Sequence, residues 1–247
     1  MVEDLQLRIY GDAAWPTLIY FPGLHGDWTL IGRFRKSIIG QVRFVEFTYP
    51  RTLAWSLDDY AANIEMALAK NGITHGWLLG ESFGSQVLWS VIARGTFQAQ
   101  GIILAGGFVK HPFRRLARLA EKTFGHLPFR ILVWGMYAFT KYARLGCPRD
   151  HREFAERRTK LDCLAATHRL HLLAGNDPGP VASATRLPVF HISGLIDPIV
   201  PWPLVQCWLR KNCPALRATR IVALADHNVL GTGSRQAAAH ILNWMKP

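Results

Sequence analysis

Residues 77–90, WLLGESFGSQVLWS, decide the fold that this sequence predicts. A short apolar run leads into the turn GESFG at residues 80–84, and the residues after it have the spacing of a helix. A serine at such a turn needs unusual backbone angles, and the flanking glycines let strand and helix approach closely. The pattern is that of a G-x-S-x-G nucleophile elbow, which would expose the hydroxyl of Ser82. Matches of this length also arise by chance in ordinary loops. The motif therefore indicates a catalytic site only if the rest of the chain contains residues that would act together with Ser82.

Strand and helix signals alternate on both sides of this turn. Strands are predicted by short apolar runs at residues 5–10, 17–21, 43–48, 101–105, 187–192 and 220–225. Helices are predicted by amphipathic spacing at residues 28–39, 60–70, 83–94, 203–211 and 234–245, the second of them with an N-cap signal at residues 56–59. This alternation predicts an α/β fold, with a mostly parallel central sheet flanked by crossover helices.

The alternation of strand and helix signals stops in residues 110–171. This stretch predicts several basic amphipathic helices and no convincing strand. A breaker cluster, NDPGP at residues 176–180, follows this segment, and strand character then resumes. We therefore expect an α/β core made of residues 1–109 and 181–247, with residues 110–180 inserted as a helical lid.

Composition bounds the class of protein. With 247 residues, 49% hydrophobic residues, nine Trp and thirteen Phe against 19% charged residues, the sequence predicts a globular chain. Glu3 and Asp4 stand where a secretory signal would be apolar, and the longest apolar run, residues 131–139, is too short to cross a bilayer. These features predict a cytoplasmic protein with no transmembrane segment.

Cysteine and histidine spacing does not predict a metal site. The four Cys residues form no C-x-x-C pair, which favours reduced structural thiols: Cys147, Cys163, Cys207 and Cys213. Ten His residues form no H-x-x-x-H or H-E-x-x-H arrangement, and His168 with His171 lacks an obvious carboxylate partner. We expect no metal and no cofactor.

The chain resembles the α/β-hydrolase family, because Ser82, Asp197 and His227 occur in that family's order. Counted on the family's usual eight strands, Ser82 follows the fifth, Asp197 lies in a G-x-x-D-P turn after the seventh, and His227 follows the eighth. The resemblance covers nearly the whole chain and implies a lid inserted after the sixth strand. It also implies a catalytic triad, in which His227 accepts the hydroxyl proton and Asp197 orients the imidazole.

Ordinary structural roles remain open for each of these residues. Ser82 fits a tight turn as a small residue, Asp197 can begin an Asp-Pro turn, and His227 can cap the last strand. Two other acids are alternatives to Asp197. Asp177 belongs to a turn at the end of the lid, and Asp226 adjoins His227 so closely in sequence that it cannot easily orient the ring.

The same resemblance implies an oxyanion hole built from two backbone amides, those of Phe83 and Leu24. Many relatives carry His-Gly-x in the loop that here reads PGL at residues 22–24, so this chain keeps the glycine and loses the histidine. The backbone donor survives such a change. The side chain of His25 is a rival donor, or alternatively a loop histidine in solvent.

The serine at the elbow argues against the activities of haloalkane dehalogenases and epoxide hydrolases, because these members of the family use aspartate at this position. Cleavage of an ester, a thioester or an amide through an acyl-enzyme remains. Of these we expect a serine esterase or thioesterase that acts on a small or medium acyl substrate. A cofactor-independent lyase or acyltransferase, or a non-catalytic ligand-binding module, is the alternative. Aromatic residues of the loop and lid fit either an apolar acyl pocket or the core: Trp28, Trp55, Phe113, Phe129, Trp134, Tyr137 and Phe139. We expect His25, Trp28 and Trp134 to line the substrate pocket.

Charge is concentrated in the lid. Residues 110–171 hold 14 Lys and Arg against 5 Asp and Glu, which gives a net charge of +9 out of the chain's formal +12. This excess fits a solvated helical surface, attraction of an anionic substrate or membrane surface, or nucleic-acid binding. We expect no nucleic-acid partner, because the sequence contains no recognised nucleic-acid module. The sequence does not predict the oligomeric state.

Overall fold

A seven-stranded sheet forms the centre of the computed structural model, which describes residues 4–112, 127–142 and 148–246. The strands are β1 (Gln6–Tyr10), β2 (Thr17–Phe21), β3 (Arg43–Thr48), β4 (His75–Glu81), β5 (Gln98–Ala105), β6 (Val189–Gly194) and β7 (Leu216–Val222). They lie in the order β1-β3-β2-β4-β5-β6-β7. Only β1 runs antiparallel to its neighbour, so the predicted mostly parallel α/β sheet is confirmed.

Helices cover both faces of this sheet. The core helices are α1 (Gly32–Ile38, preceded by a 3₁₀ turn at Thr29–Ile31), α2 (Leu57–Lys70), α3 (Gly84–Arg94), α8 (Trp202–Asn212), α9 (Val229–Thr232) and α10 (Ser234–Trp244). Alternate residues of β2 point to opposite faces: Ile19 packs with residues of α2, α3 and α8, and Leu18 packs with residues of α1 and α10. Each face of the sheet therefore packs against its own apolar layer of helices.

The start of α2 shows how local sequence sets an element boundary. The hydroxyl of Ser56 accepts a hydrogen bond from the amide of Asp59 at 3.1 Å, and the Asp59 carboxylate accepts one from the amide of Ser56 at 2.8 Å. This capping box satisfies two amides that the helix itself leaves unpaired, and a cap of this kind is typically worth about 1 kcal/mol. The predicted N-cap at residues 56–59 is confirmed.

The last strand is where the predicted boundaries differ most from the structure. Residues 220–225 were expected to form it, whereas β7 begins at Leu216 and ends at Val222. Because β7 is an edge strand that pairs only with β6, its exposure alternates irregularly and its first half has no apolar pattern. After Val222 the chain turns away, and the carbonyl of Ala225 accepts a hydrogen bond from the amide of Ile196 at 3.1 Å.

All the regular secondary structure in the described part of residues 110–180 is helical. This part contains α4 (Leu127–Tyr142), α5 (Pro148–Glu156), α6 (Lys160–Gly175) and α7 (Gly179–Ala184), and no strand occurs among the described residues between 110 and 180. In chain order the insertion follows β5, the fifth of the seven described strands, whereas the family's eight-strand count made it the sixth. The division into residues 1–109, 110–180 and 181–247 stays a prediction, and α7 runs past its boundary at residue 180.

Three other expectations concern membranes, metals and thiols. Within the described ranges, no helix combines the length and the apolar character that crossing a bilayer requires. The same residues contain no cluster of three His, Cys, Asp or Glu side chains that could hold a metal ion. Cys163, Cys207 and Cys213 take part in no disulfide, and Cys147 lies outside the described residues.

Candidate functional site

The turn between β4 and α3 has the geometry of an elbow. Ser82 adopts a φ of 49°, in the left-handed region that a residue with a side chain rarely occupies. Strain of this kind costs of order 1–3 kcal/mol and persists only where the surroundings impose it. A Cβ atom on Gly84 would lie 2.1 Å from the carbonyl oxygen of Phe21, and one on Gly80 would lie 2.8 Å from Cα of Ser85. The two glycines therefore permit the close packing that forces Ser82 into this conformation.

Ser82, His227 and Asp197 form one hydrogen-bonded chain. The Nε2 atom of His227 lies 2.9 Å from the hydroxyl oxygen of Ser82, and its Nδ1 atom lies 2.8 Å from Oδ2 of Asp197. The three residues follow β4, β7 and β6 respectively, and the carboxyl ends of these parallel strands meet at one edge of the sheet. The structure thus brings together the three residues that the sequence nominated.

The carboxylate of Asp197 is fully buried and fully engaged. Its Oδ1 atom accepts hydrogen bonds from the amides of Ile199 at 2.8 Å and Val200 at 2.9 Å, while Oδ2 faces His227. Burial alone would raise the pKa of Asp197, but His227 and these two amides outweigh it and hold the pKa below its ordinary value. Asp197 is therefore a fixed negative charge at neutral pH.

The imidazole of His227 is tuned by that charge. Burial alone would lower its pKa, but the charge and the hydrogen bond of Asp197, with further contributions from Glu81 and Asp226, raise the pKa above the ordinary 6.5. A raised pKa means that the protonated ring is stabilised. This is the property that a base needs when it must accept a proton from a serine hydroxyl.

The two alternative acids are engaged elsewhere. Asp226 is buried, and its Oδ1 atom accepts hydrogen bonds from the amide of Asn228 at 2.9 Å and the hydroxyl of Thr232 at 3.0 Å, which organises the start of α9. Asp177 is half exposed and pairs with Nζ of Lys110 at 2.7 Å. Asp197 is thus the acid that faces Nδ1 of His227 in the structure.

Among the described residues, no acceptor is found for the backbone amides of Phe83 and Leu24. Phe83 directly follows Ser82, and Leu24 follows Gly23, on which a Cβ atom would lie 3.5 Å from Cβ of Ser82. The Phe83 side chain is buried against Tyr49 and Tyr60, so its amide is held at the start of α3. Leu24 lies in a tight turn that the amide of Gly26 closes on the carbonyl of Gly23 at 2.9 Å. Both amides belong to the two loops that the resemblance nominated.

His25 does not lie in solvent, contrary to one of the alternatives that the sequence left open. Only 11% of its side chain is exposed, and the ring packs edge-on against Phe154 of α5 at 5.7 Å between centroids. Its Nε2 atom is 4.0 Å from the carboxylate of Glu81, which is buried and accepts a hydrogen bond from the hydroxyl of Tyr20. A Cβ atom on Gly23 would touch both this ring, at 3.3 Å, and Cβ of Ser82, at 3.5 Å. His25 is therefore close to the nucleophilic turn.

The aromatic pocket residues proposed from the sequence are scattered. Trp28 packs against the α1 and α10 layer, with the guanidinium of Arg8 stacked 4.0 Å above its ring. Trp134 of α4 is 44% exposed and contacts Tyr137 edge-on. Phe113 and the side chain of Phe129 lie outside the described residues. The structure therefore brings His25, but neither Trp28 nor Trp134, into described contact with the nucleophilic turn.

Sequence reasoning missed two residues near the site. His111 contacts the ring of Phe108, and its pKa is lowered to about 4 by burial and by the charge of His227. Arg169 of α6 is buried, and it donates to the loop that carries Leu24. Neither residue belongs to a recognisable motif, so no local signal in the sequence identified them.

Several charged residues of the segment predicted to be a lid form ion pairs with residues of the predicted α/β core. Arg158 pairs with Asp27 at 2.7 Å, and Asp162 of α6 pairs with Arg51 at 2.6 Å. Others pair within α5 or just after it, as Arg152 does with Glu156. Arg114, Arg115 and Arg118 lie outside the described residues. Some of the basic residues between 110 and 171 are thus paired with acidic residues of the same molecule.

The fold has counterparts among solved structures. An esterase from Exiguobacterium antarcticum superposes with a TM-score of 0.81 at 12% identity, covering 98% of this chain and 96% of that one. An enol-lactonase from Burkholderia xenovorans LB400 gives 0.80 at 13% identity, with coverage of 98% and 96%. A bromoperoxidase from Bacillus anthracis gives 0.75 at 11% identity, with coverage of 98% and 95%.

No protein-family model matches the sequence, and none of the curated proteins matches it. At identities this low, structural likeness shows the fold and not the reaction. It spans nearly the entire chain, the inserted segment included. The α/β-hydrolase fold that the sequence implied is therefore confirmed.

Proposed function

We propose that this chain, which has the α/β-hydrolase fold, is a serine hydrolase that cleaves a carboxylic ester or thioester through an acyl-enzyme. One observation carries the proposal: Ser82, His227 and Asp197 are linked by hydrogen bonds of 2.9 and 2.8 Å at the end of the sheet. A serine hydroxyl is a poor nucleophile until a base accepts its proton, and this chain of contacts supplies that base.

In the first half of the reaction, the oxygen of Ser82 attacks the substrate carbonyl carbon while Nε2 of His227 accepts the hydroxyl proton. Asp197 stabilises the resulting imidazolium and keeps the ring in the tautomer that leaves Nε2 free to accept. The carbonyl oxygen becomes an oxyanion, which the amides of Leu24 and Phe83 bind. An amide in this role is typically worth about 3 kcal/mol in the transition state.

In the second half, the tetrahedral intermediate collapses and His227 gives its proton to the departing alcohol or thiol. The acyl group remains bonded to Ser82. A water molecule then attacks this ester, with His227 again accepting a proton and returning it to Ser82, and the carboxylic acid leaves. The esterase and the enol-lactonase among the structural neighbours support this reaction class, since a lactone is a cyclic ester.

A panel of p-nitrophenyl esters and acyl thioesters of graded chain length tests the proposal. We expect hydrolysis of at least one series, with kcat/KM highest for small or medium acyl groups, and a rapid burst of leaving group wherever deacylation is slow. The Ser82→Ala variant provides the background rate. Turnover that requires an acceptor other than water would point to an acyltransferase, and no turnover of any ester or thioester would contradict the proposal.

The basic lid leads to a second proposal, that its charge attracts an anionic substrate. Exposed charge is screened over about 10 Å at 0.1 M salt, so such attraction weakens as salt rises. We expect kcat/KM for an acidic ester to fall with ionic strength more steeply than for its neutral isostere. Changing Arg114, Arg115 and Arg118 to Glu should remove the difference.

A matched control changes three basic residues of α1 and α10 to Glu: Arg33, Lys36 and Arg235, which alters net charge by the same amount. This control should keep the difference between the two esters. Equal salt dependence of both esters in the unmodified protein would contradict the attraction and leave the lid a solvated surface. If the protein bound to anionic vesicles, the role of the basic residues would be to attract a membrane surface instead.

A further inference from the structure

Arg169 is a buried cation that forms no ion pair within the part of the chain that the structure describes. Its side chain projects from the lid helix α6 into the core, and the residue is 2% exposed. Burying an unpaired charge is expensive, and Arg169 is therefore a poor choice for stability alone.

The guanidinium of Arg169 donates hydrogen bonds to two backbone carbonyls. Nη1 donates to the carbonyl of Leu24 at 2.8 Å, and Nη2 donates to that of Pro50 at 3.1 Å. The group also lies 5.5 Å above the ring of Tyr49. Arg169 thus bridges the loop after β2 and the loop after β3, from an element that belongs to neither.

The guanidinium of Arg169 has room to make these two contacts because residue 26 is a glycine. A Cβ atom on Gly26 would lie 2.5 Å from Nη1 of Arg169, and the residue has a φ of +77°, where a side chain is strained. The carbonyl of Gly26 accepts a hydrogen bond from the amide of Tyr49 at 2.8 Å. The turn at residues 23–26 is thereby fixed at its last residue as well as at Leu24.

Fixing these carbonyls fixes the amide of Leu24. Its N–H belongs to the same peptide plane as the Gly23 carbonyl, which the amide of Gly26 holds, and the next plane carries the Leu24 carbonyl, which Arg169 holds. With both planes restrained, the N–H direction is set before substrate binds. Preorganised donors of this kind act most strongly where charge develops in the transition state.

We propose that Arg169 is a positioning residue, which aligns the Leu24 amide for the oxyanion. This inference rests on the proposed function, because it assumes that Leu24 binds an oxyanion. It predicts a loss in kcat more than in KM, since the ground-state carbonyl gains less from the aligned amide than the oxyanion does.

The test compares Arg169→Met, Arg169→Lys and Gly26→Ala with a matched control, Arg51→Met. Arg51 also links the core to α6, through an ion pair with Asp162 at 2.6 Å, and this pair does not involve the turn at residues 23–26. For each variant we would measure kcat, KM, thermal stability and the inhibition constant of a neutral trifluoromethyl ketone. Such a ketone binds a catalytic serine as a tetrahedral oxyanion and so reports on the oxyanion hole directly.

We expect Arg169→Met and Gly26→Ala to lower kcat on the order of 10²-fold, the typical effect of a 1 Å misplacement. KM should change little, and the ketone should bind more weakly by a similar factor. Arg169→Lys should recover part of the loss, because it keeps one charged donor. Arg51→Met should keep both kcat and ketone binding.

Three results would overturn the inference: normal kcat in folded Arg169 variants, a kcat loss without weaker ketone binding, or an equal loss in Arg51→Met. Failure of all three site variants to fold would also overturn it, by assigning Arg169 to stability. Labelling of Ser82 by a fluorophosphonate separates this failure from that of the proposed function. If Ser82 is labelled and required while Arg169 is dispensable, only the positioning role is wrong.

Discussion

Replacing Ser82 by Ala should lower kcat on the order of 10⁶-fold, the size of effect expected when the nucleophile of such a triad is removed. The reason is local: the hydroxyl of Ser82 is the group that lies 2.9 Å from Nε2 of His227. The measurement is initial-rate kinetics on the best ester of the panel, with active-site titration to exclude contaminating activity. Residual rate above water would come from the oxyanion hole and from binding.

Ser90→Ala is the matched control for this variant. Ser90 lies on α3, the helix that begins after the elbow, and its hydroxyl donates to the carbonyl of Gln86 within that helix. The control removes one hydroxyl from the helix that follows Ser82 and changes no contact of His227. It should therefore keep near-normal kcat. Comparable rates in Ser82→Ala and Ser90→Ala would exclude Ser82 as the nucleophile.

Asp197→Asn should lower kcat on the order of 10⁴-fold, because the imidazole loses the carboxylate that holds its tautomer and stabilises its protonated form. The carboxylate has no exposed surface, so water cannot replace it. Asp177→Asn is the control, since Asp177 pairs with Lys110 at the surface. Its effect should be much smaller. If the two variants ranked the other way, the orienting acid would be Asp177.

The pH dependence of kcat/KM offers a second readout of the same variant. His227 works as a base in its neutral form, so activity falls as pH drops through its pKa, which Asp197 raises above 6.5. Removing the negative charge lowers that pKa. The acidic limb of the profile should therefore move to lower pH in Asp197→Asn, while the plateau falls. A limb that stays in place would mean that Asp197 does not control the titration of His227.

Much of the fold could be predicted from the sequence because its signals are local. Gly80 and Gly84 mark the elbow through a packing requirement within five residues, and Ser56 with Asp59 marks the start of α2 through a capping box. Buried parallel strands such as β2 and β3 read as apolar runs at residues 17–21 and 43–48, and the structure confirms both ranges. The edge strand β7 was misplaced because one of its sides has no partner strand.

The surroundings of the elbow could not be predicted, because they depend on contacts between distant segments. Arg169 and Leu24 are 145 positions apart, and nothing in residues 160–175 indicates that one arginine points inward. His25 and Phe154 meet through the docking of α5 on the loop after β2. The order Ser82, Asp197, His227 was recoverable only because the α/β-hydrolase resemblance supplied it; spacing alone does not bring the three together.

The covalent adduct of a fluorophosphonate probe tests the central claim most directly. Trypsin should release residues 71–94 as one peptide, NGITHGWLLGESFGSQVLWSVIAR, which contains Ser82 together with Ser85 and Ser90. Intact-mass spectrometry should show one adduct per chain, and fragmentation of this peptide should place it on Ser82. The adduct should be absent from Ser82→Ala and form far more slowly in His227→Ala. Full labelling of Ser82→Ala, or an adduct on any other residue, would contradict the account.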